Sequence, residues 1–263
     1  MLELYHNDMA VCAAKVRMVL AEKGLQWTGH HLDLSAGETR AADYLRLNPN
    51  GVVPTLVDEG RVIIESTVIC EYLDDKWRAP ALRPSDPAER ASMRLWTKQL
   101  DEGVHAATGA ITYCISFRQA HLGKSPQELE AFLAKMPTQE QRDRVVAAIR
   151  LGMDAPQFAA GIRRFQKLFR EIGQALATTR WLAGGEFSLA EVGYAPYLTR
   201  LEHLGLAQLI TQDARVADWA ERIKQRPSYQ AGLAQWFNPS SLASMAGTRD
   251  AAGRKLAGML QAA

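Results

Sequence analysis

The sequence predicts a mixed α/β domain of βαβαββα order followed by an all-α domain. Three observations carry that reading. Residues up to about 78 alternate short β-branched or apolar runs with helical ones, residues 78–87 contain three prolines, and the pattern beyond them is almost wholly helical. At roughly 150 residues per domain, a chain of 263 is nearer two domains than one. The boundaries read as 1–78 for the first domain, 79–87 for a linker and 88–263 for the second.

Taken in order, Leu2–Tyr5 is a short apolar strand, and Val11–Gly24 is a helix with Val16, Val19, Leu20 and Lys23 at helical spacing and Gly24 as its stop. Gln26–Leu34 alternates as a second strand, and Arg40–Leu47 is a short helix that ends before Asn48-Pro49. Val52–Val57 and Arg61–Ile64 are β-branched runs around the turn Asp58-Glu59-Gly60. Ser66 then caps a helix to about Lys76. This is the order of a thioredoxin-like domain. Beyond the linker, helical patterns cover Ala88–Phe117, Glu140–Leu151, Gln157–Ala177, Leu189–Leu204 and Val216–Arg226. Pro126, Pro137 and Pro156 punctuate the stretch between, and Ser240–Ala263, rich in Ala, Gly and Met, reads as a loosely docked tail.

Composition excludes several functions. The formal charge is +2, with basic and acidic residues interspersed, so a nucleic-acid partner is not expected. There is no run of about 18 apolar residues and no signal-peptide pattern at the start, so neither a membrane span nor export is expected. The three cysteines, Cys12, Cys70 and Cys114, suit a reducing cytoplasm rather than a disulfide framework. His30 and His31 are adjacent in a strand, hence on opposite faces, and no metal site is read.

Chemistry concentrates in the first domain. Cys12 falls where the first helix begins, and there unsatisfied N–H groups and the helix dipole favour a thiolate. Ala13, Ala14 and Lys15 follow, so the second thiol of a Cys-x-x-Cys pair is absent. Taken alone, Cys12 reads as a small packing residue; a thiol-ligand site beside it would reverse that. Only about 5–6% of X-Pro bonds in folded proteins are cis, so Pro54 reads as trans on spacing alone. Glu65-Ser66, before a helix, reads as a first-turn charge and an N-cap, although the same pair can hold a carboxylate and an amino group.

Together the segments 4–17, 22–25, 48–56 (Asn-Pro-Asn-Gly-Val-Val-Pro-Thr-Leu) and 64–73 (Ile-Glu-Ser-Thr-Val-Ile-Cys-Glu-Tyr-Leu) resemble the glutathione transferase family. Trp181–Glu191 resembles the family's capping box, with Ser188 as cap and Glu191 where Asp is usual. The resemblance spans essentially the whole chain. It implies that Pro54 is cis, that Val53 pairs with the cysteinyl backbone of glutathione, and that Glu65 and Ser66 hold the γ-glutamyl end. It places Cys12 at the glutathione sulfur. Val52 stands where many members carry Lys or Gln for the glycyl carboxylate, which leaves Asn50 or Arg40 for that contact, or no contact. His105, Thr108 and Tyr113 lie on the helix that lines the family's acceptor pocket; on their own they read equally as helix surface.

Val11-Cys12 with Lys15 and Arg17, and Val52–Leu56, resemble the zeta-related branch with its tetrachlorohydroquinone reductive dehalogenases. The run from Arg83 to Lys98 resembles bacterial members that cleave lignin-type β-aryl ethers. The implied activity is transfer of glutathione, as co-substrate, to a small hydrophobic electrophile by a homodimer. The alternatives are ether cleavage, isomerisation or reductive dehalogenation through Cys12, and a non-catalytic glutathione-binding protein, which the substitution at Val52 favours.

Overall fold

A computed structural model of the chain describes residues 1–134, 136 and 138–261. Pro137 and the end of the C-terminal tail therefore lie outside the described residues. The chain groups into two compact units. One comprises Met1–Lys98, Thr178–Pro196 and Asp218–Ser241; the other holds the remaining described residues.

The first unit is built on a four-stranded sheet of order β2-β1-β3-β4, from β1 (Leu2–His6), β2 (Thr28–His31), β3 (Thr55–Asp58) and β4 (Arg61–Ile64). β1 runs parallel to β2 and antiparallel to β3, and β3 pairs antiparallel with β4. Leu2, Leu4 and His6 are buried while Glu3 and Tyr5 are less so, as period-two alternation requires. α1 (Val11–Glu22) buries every residue from Ala13 to Leu20, Lys15 and Arg17 included. Gly24, at φ +62°, ends it with a left-handed residue. α2 (Ala42–Leu47) and α3 (Ser66–Lys76) complete the βαβαββα order.

The second strand is shorter than Gln26–Leu34, and the third begins at Thr55 rather than Val52. Proline cannot donate to a ladder, and the Val53–Pro54 bond is cis, as the resemblance implies and against the reading from spacing. Arg40–Leu47 is likewise not one helix: a 3₁₀ turn at Glu38–Arg40 precedes α2. His30 and His31 do diverge. His30 Nε2 lies 2.8 Å from Glu3 Oε2, and His31 Nε2 lies 3.7 Å from Asp8 Oδ1.

The expected helix Ala88–Phe117 is two helices, α4 (Pro87–Gln99) and α5 (His105–Ile115), separated by a π-helical turn over Leu100–Val104. α6 (Pro126–Leu133), α7 (Gln139–Leu151) and α8 (Pro156–Ala175) follow. Gly161 of α8 packs against α5, where an added Cβ would come within 2.8 Å of Ile111 Cγ1. After α9 (Leu189–His203) come α10 (Gln208–Thr211), α11 (Ala214–Lys224) and α12 (Pro227–Gly232). Half of the capping box forms: Ser188 N–H and Oγ both donate to Glu191 Oε2, at 3.0 and 2.8 Å, while Ser188 Oγ accepts from Ala190 N–H at 3.2 Å rather than from Glu191 N–H. Glu191 is fully buried and also accepts from Leu182 N–H at 2.7 Å; burial raises its pKa. The last stretch is no loose tail. It is α13 (Pro239–Gln261), with Met245, Ala252 and Leu256 buried. Small residues and apolar ones four to seven apart let it pack, which composition alone concealed. Among the described residues no helix is long and apolar enough to cross a membrane.

Candidate glutathione site

Residues 7–10 connect β1 to α1 and set the position of Cys12, the second residue of α1. Arg17 holds this turn from below. Its guanidinium, only 2% exposed, donates from Nη1 to Asn7 O, from Nη2 to Asp8 O and from Nε to Gly232 O, each at 2.9 Å. Its charged end also lies 4.8 Å from the centre of the Trp236 ring. Gly232 is required there, since a Cβ would fall 2.5 Å from Met18 N. Asn238 Nδ2 donates to Asp8 Oδ2 at 3.0 Å and closes the turn from the same side.

His6 is buried against this cation. Its Nδ1 lies 3.3 Å from Arg17 Nη1; a guanidinium only donates, so Nδ1 accepts and the ring proton sits on Nε2. Burial, and then the Arg17 charge, lower the His6 pKa to about 4. Burial lowers that of Arg17 to about 10. His6 is thus a neutral structural imidazole packed edge-on to Trp27 and Trp236.

Cys12 is half-buried and in no disulfide, whereas Cys70 and Cys114 are buried, as core residues should be. Burial pushes the Cys114 thiol up to about 11. Ala10 caps α1 without a side-chain hydrogen bond. Three residues on from Cys12, and so on the same side of the helix, Lys15 Nζ donates to Ser66 Oγ at 3.3 Å. Ser66 is the first residue of α3 rather than its cap; Glu65 holds the cap position without a side-chain cap bond, at φ +69°, a left-handed value that costs a non-glycine residue of order 1 kcal/mol.

The loop before β3 is fixed from inside. The Val52 carbonyl accepts from Tyr44 Oη at 2.6 Å and from Asn48 Nδ2 at 2.9 Å. The same two side chains bond Thr55 Oγ1, at 2.8 and 3.1 Å. Val53 and Pro54 are buried, while the Val52 side chain is 48% exposed. Asn50 Nδ2 reaches Glu65 Oε1 at 3.4 Å. Arg40 lies against Gly51, where an added Cβ would sit 2.9 Å from Arg40 Nη1. The structure therefore links α1, Ser66, Glu65, Asn50 and Gly51 in series, with Arg40 against Gly51.

The acceptor candidates belong to the second unit. His105 is exposed, with Nδ1 3.2 Å from Tyr197 Oη. Thr108 is buried, and its hydroxyl donates to Val104 O at 2.7 Å within the helix, so its proton is committed there and the oxygen can only accept from other groups. Tyr113 is half-buried with its ring parallel to His121, and burial raises its hydroxyl to about 12.

Sequence reasoning missed Lys15, Arg17, Tyr44 and Asn48 as parts of this site. The signal available for the first two was a pair of cations inside a helical run that is otherwise apolar.

Glutathione S-transferase family profiles match the chain twice, the N-terminal domain over residues 11–76 and the C-terminal domain over 155–222. Protein LigF of a Sphingobium species is 30% identical over 234 residues, covering 86% of this chain and 91% of that protein. The crystal structure of that species' beta-etherase LigF superposes with a TM-score of 0.77 at 29% identity, covering 88% of this chain and 98% of that one. Glutathione S-transferase TCHQD of Arabidopsis thaliana is 26% identical and covers 90% of this chain and 91% of its own length. The tetrachloro-p-hydroquinone reductive dehalogenase of Sphingobium chlorophenolicum is 27% identical, covering 86% and 93%. Both family domains in order, and a relative 30% identical along most of both chains, make this protein a member of the glutathione S-transferase family.

Proposed function

We propose that this glutathione transferase holds the glutathione thiolate beside Cys12 and directs it at a small hydrophobic, aromatic electrophile. The observation that carries the reading is the series of links from the helix of Cys12 through Ser66, Glu65 and Asn50 to Gly51, against which Arg40 lies. Glutathione is a tripeptide with a carboxylate at each end, an ammonium beside the γ-glutamyl one, and a thiol between. The polar groups fit it: Val53 offers backbone to the cysteinyl residue, and Ser66 with Glu65 offers a hydroxyl to the carboxylate and a carboxylate to the ammonium of the γ-glutamyl head. Asn50 and Arg40 offer an amide and a cation to the glycyl carboxylate, in the place that Val52 leaves uncharged. His105, Thr108 and Tyr113 are assigned to the acceptor. In this reading residues 1–78 bind glutathione and residues 88–263 bind the acceptor.

A free thiol has a pKa near 8.5, so little is thiolate at neutral pH. Stabilising the anion by about 1.4 kcal/mol lowers that pKa by about one unit, and holding sulfur and acceptor together supplies the rest. In the reaction a C–S bond forms and the leaving group departs with its electron pair. The likeness to a beta-etherase favours a second reading in which that leaving group is an aryloxide, so a β-aryl ether becomes a thioether and a phenol. The protein is expected to be retained on immobilised glutathione and to turn over an acceptor in a panel of aryl halides, β-aryl ethers and chlorohydroquinones. No retention together with no glutathione-dependent turnover would overturn the enzyme reading in favour of a non-catalytic one.

The same reading includes a homodimer in the cytoplasm. Val62, Val68 and Leu95, on β4, α3 and α4, are 42–66% exposed apolar residues of the first unit, which a second copy would cover. The three cysteines, none in a disulfide, suit a reducing compartment. Light scattering at micromolar concentration should give twice the 29.1 kDa chain mass, and a monomer there would refute the dimer.

A further inference from the structure

We propose that Lys15 is a positioning residue that selects the γ-glutamyl α-carboxylate through Ser66; the inference rests on the glutathione site proposed above. Lys15 is 1% exposed in a stretch of α1 that buries Ala13, Ala14, Val16, Met18, Val19 and Leu20. An ammonium in such a place is costly to desolvate, and packing alone would be served by an apolar residue. Its Nζ donates to Ser66 Oγ at 3.3 Å. An ammonium has three donors and no acceptor, so the hydroxyl oxygen accepts and the hydroxyl proton is turned toward another partner. Among the described residues Ser66 Oγ takes part in no other hydrogen bond.

Ser66 is also the first residue of α3, eleven residues long and without a side-chain cap from Glu65. A carboxylate placed there would meet three favourable effects: the hydroxyl proton, the first N–H groups of α3, and the Lys15 charge behind the hydroxyl. Exposed Glu65 stands beside it, suited to the ammonium of the same amino-acid head. Lys15 thus acts on the ligand through Ser66. It makes the site read a free α-carboxylate rather than merely a γ-linked acyl chain.

The test compares glutathione with 4-aminobutyryl-cysteinyl-glycine, which lacks only that carboxylate, by titration calorimetry. The wild-type protein should bind glutathione about tenfold or more tightly than the analogue. In Lys15→Met the preference should shrink to about two- to threefold, with most of the loss falling on glutathione. Lys15→Gln serves as a second variant where Lys15→Met does not fold. Its neutral amide can still donate to Ser66 Oγ, so its preference should lie between the two. A folded variant that weakens both ligands by the same factor and keeps the full preference would make Lys15 a core residue only. A wild-type protein that binds both ligands equally would instead overturn the placement of the γ-glutamyl head at Ser66, a separate failure.

Discussion

Cys12→Ala is expected to lower kcat/KM for glutathione-dependent turnover about 10- to 100-fold near neutral pH. A hydrogen bond to a charged sulfur contributes about 1.5–3 kcal/mol, which corresponds to that range of rate. The loss should appear in the pH profile as a rise of about one to two units in the apparent pKa of the thiol, because the missing group stabilises the anion rather than the bound tripeptide. Cys12→Ser keeps an O–H donor at the same place and should retain much of the conjugating activity. The two variants part company on exchange chemistry. With oxidised glutathione, the Cys12 thiolate can attack one sulfur, form a mixed disulfide and release one glutathione thiolate. Cys70 and Cys114 are both buried, so neither stands ready to resolve that adduct, and it should persist until another thiol removes it. Mass spectrometry of the oxidised protein should find the adduct on Cys12 and on neither variant. An adduct confined to Cys70 or Cys114, with unchanged kinetics in Cys12→Ala, would return Cys12 to packing.

Much of the first unit was legible because its signals are local. The βαβαββα order followed from β-branched runs, from Gly24 and Gly60 at positions that take positive φ, and from Ser66 ahead of an apolar helix. Element ends were less legible where tertiary contacts decide them. Val52–Val53 has strand composition, yet it leaves the ladder because Tyr44 and Asn48 claim the Val52 carbonyl and Pro54 has no N–H to give. The break between α4 and α5 escaped periodicity because a π turn displaces the register without changing composition. α13 escaped it for another reason. Its buried residues, Met245, Ala252 and Leu256, are few within a run of small and polar ones.

The site divides along the same line. Cys12, Val53, Pro54, Glu65 and Ser66 carry motifs that a reader can find in the sequence. Their supports do not, because an inward-facing cation has no pattern of its own. Lys15 and Arg17 lie off the face that Val16, Val19 and Leu20 mark by spacing, yet the helix is buried throughout from Ala13 to Leu20. Partners such as Ser66 from α3 for Lys15, and Gly232 from far along the chain with Asn7 O and Asp8 O for Arg17, explain why charges are tolerated there. His6 could be read as a strand-end polar group for the same reason. Its environment comes from Trp27, Trp236 and Arg17, which are distant in sequence.

That environment makes the fold sensitive to mild acid. His6 and His203 each have a pKa lowered from the ordinary 6.5 to about 4. Burial is the main cause for both, followed by Arg17 for His6 and by Arg200 and Arg249 for His203. His31 and His30 push His6 the same way, and Asp8 opposes them. The unfolded chain protonates near pH 6.5 and the folded one only near pH 4, so unfolding takes up protons throughout that window. Stability is therefore full above about pH 6.5 and is lost as pH falls toward 4. Two such groups predict a loss of about 4 kcal/mol between about pH 7 and pH 5. Glu22, whose pKa is lowered by bonds from Arg226 and Ser228 that outweigh its burial, begins to matter only as pH falls into the ordinary carboxylate range, so its effect separates from theirs above about pH 5. Urea unfolding at a series of pH values measures the slope. His6→Asn, with an amide oxygen to accept from Arg17 and no titration, should remove close to half of the loss in this window. An unaltered slope in that variant would mean that His6 titrates normally in the folded protein. A halved slope would tie acid stability to the turn ahead of Cys12. Protonated His6 would set a donor against the Arg17 guanidinium, which also holds the carbonyls of Asn7 and Asp8 ahead of Cys12. Activity should then fall with the fraction folded rather than with a separate ionisation of the site.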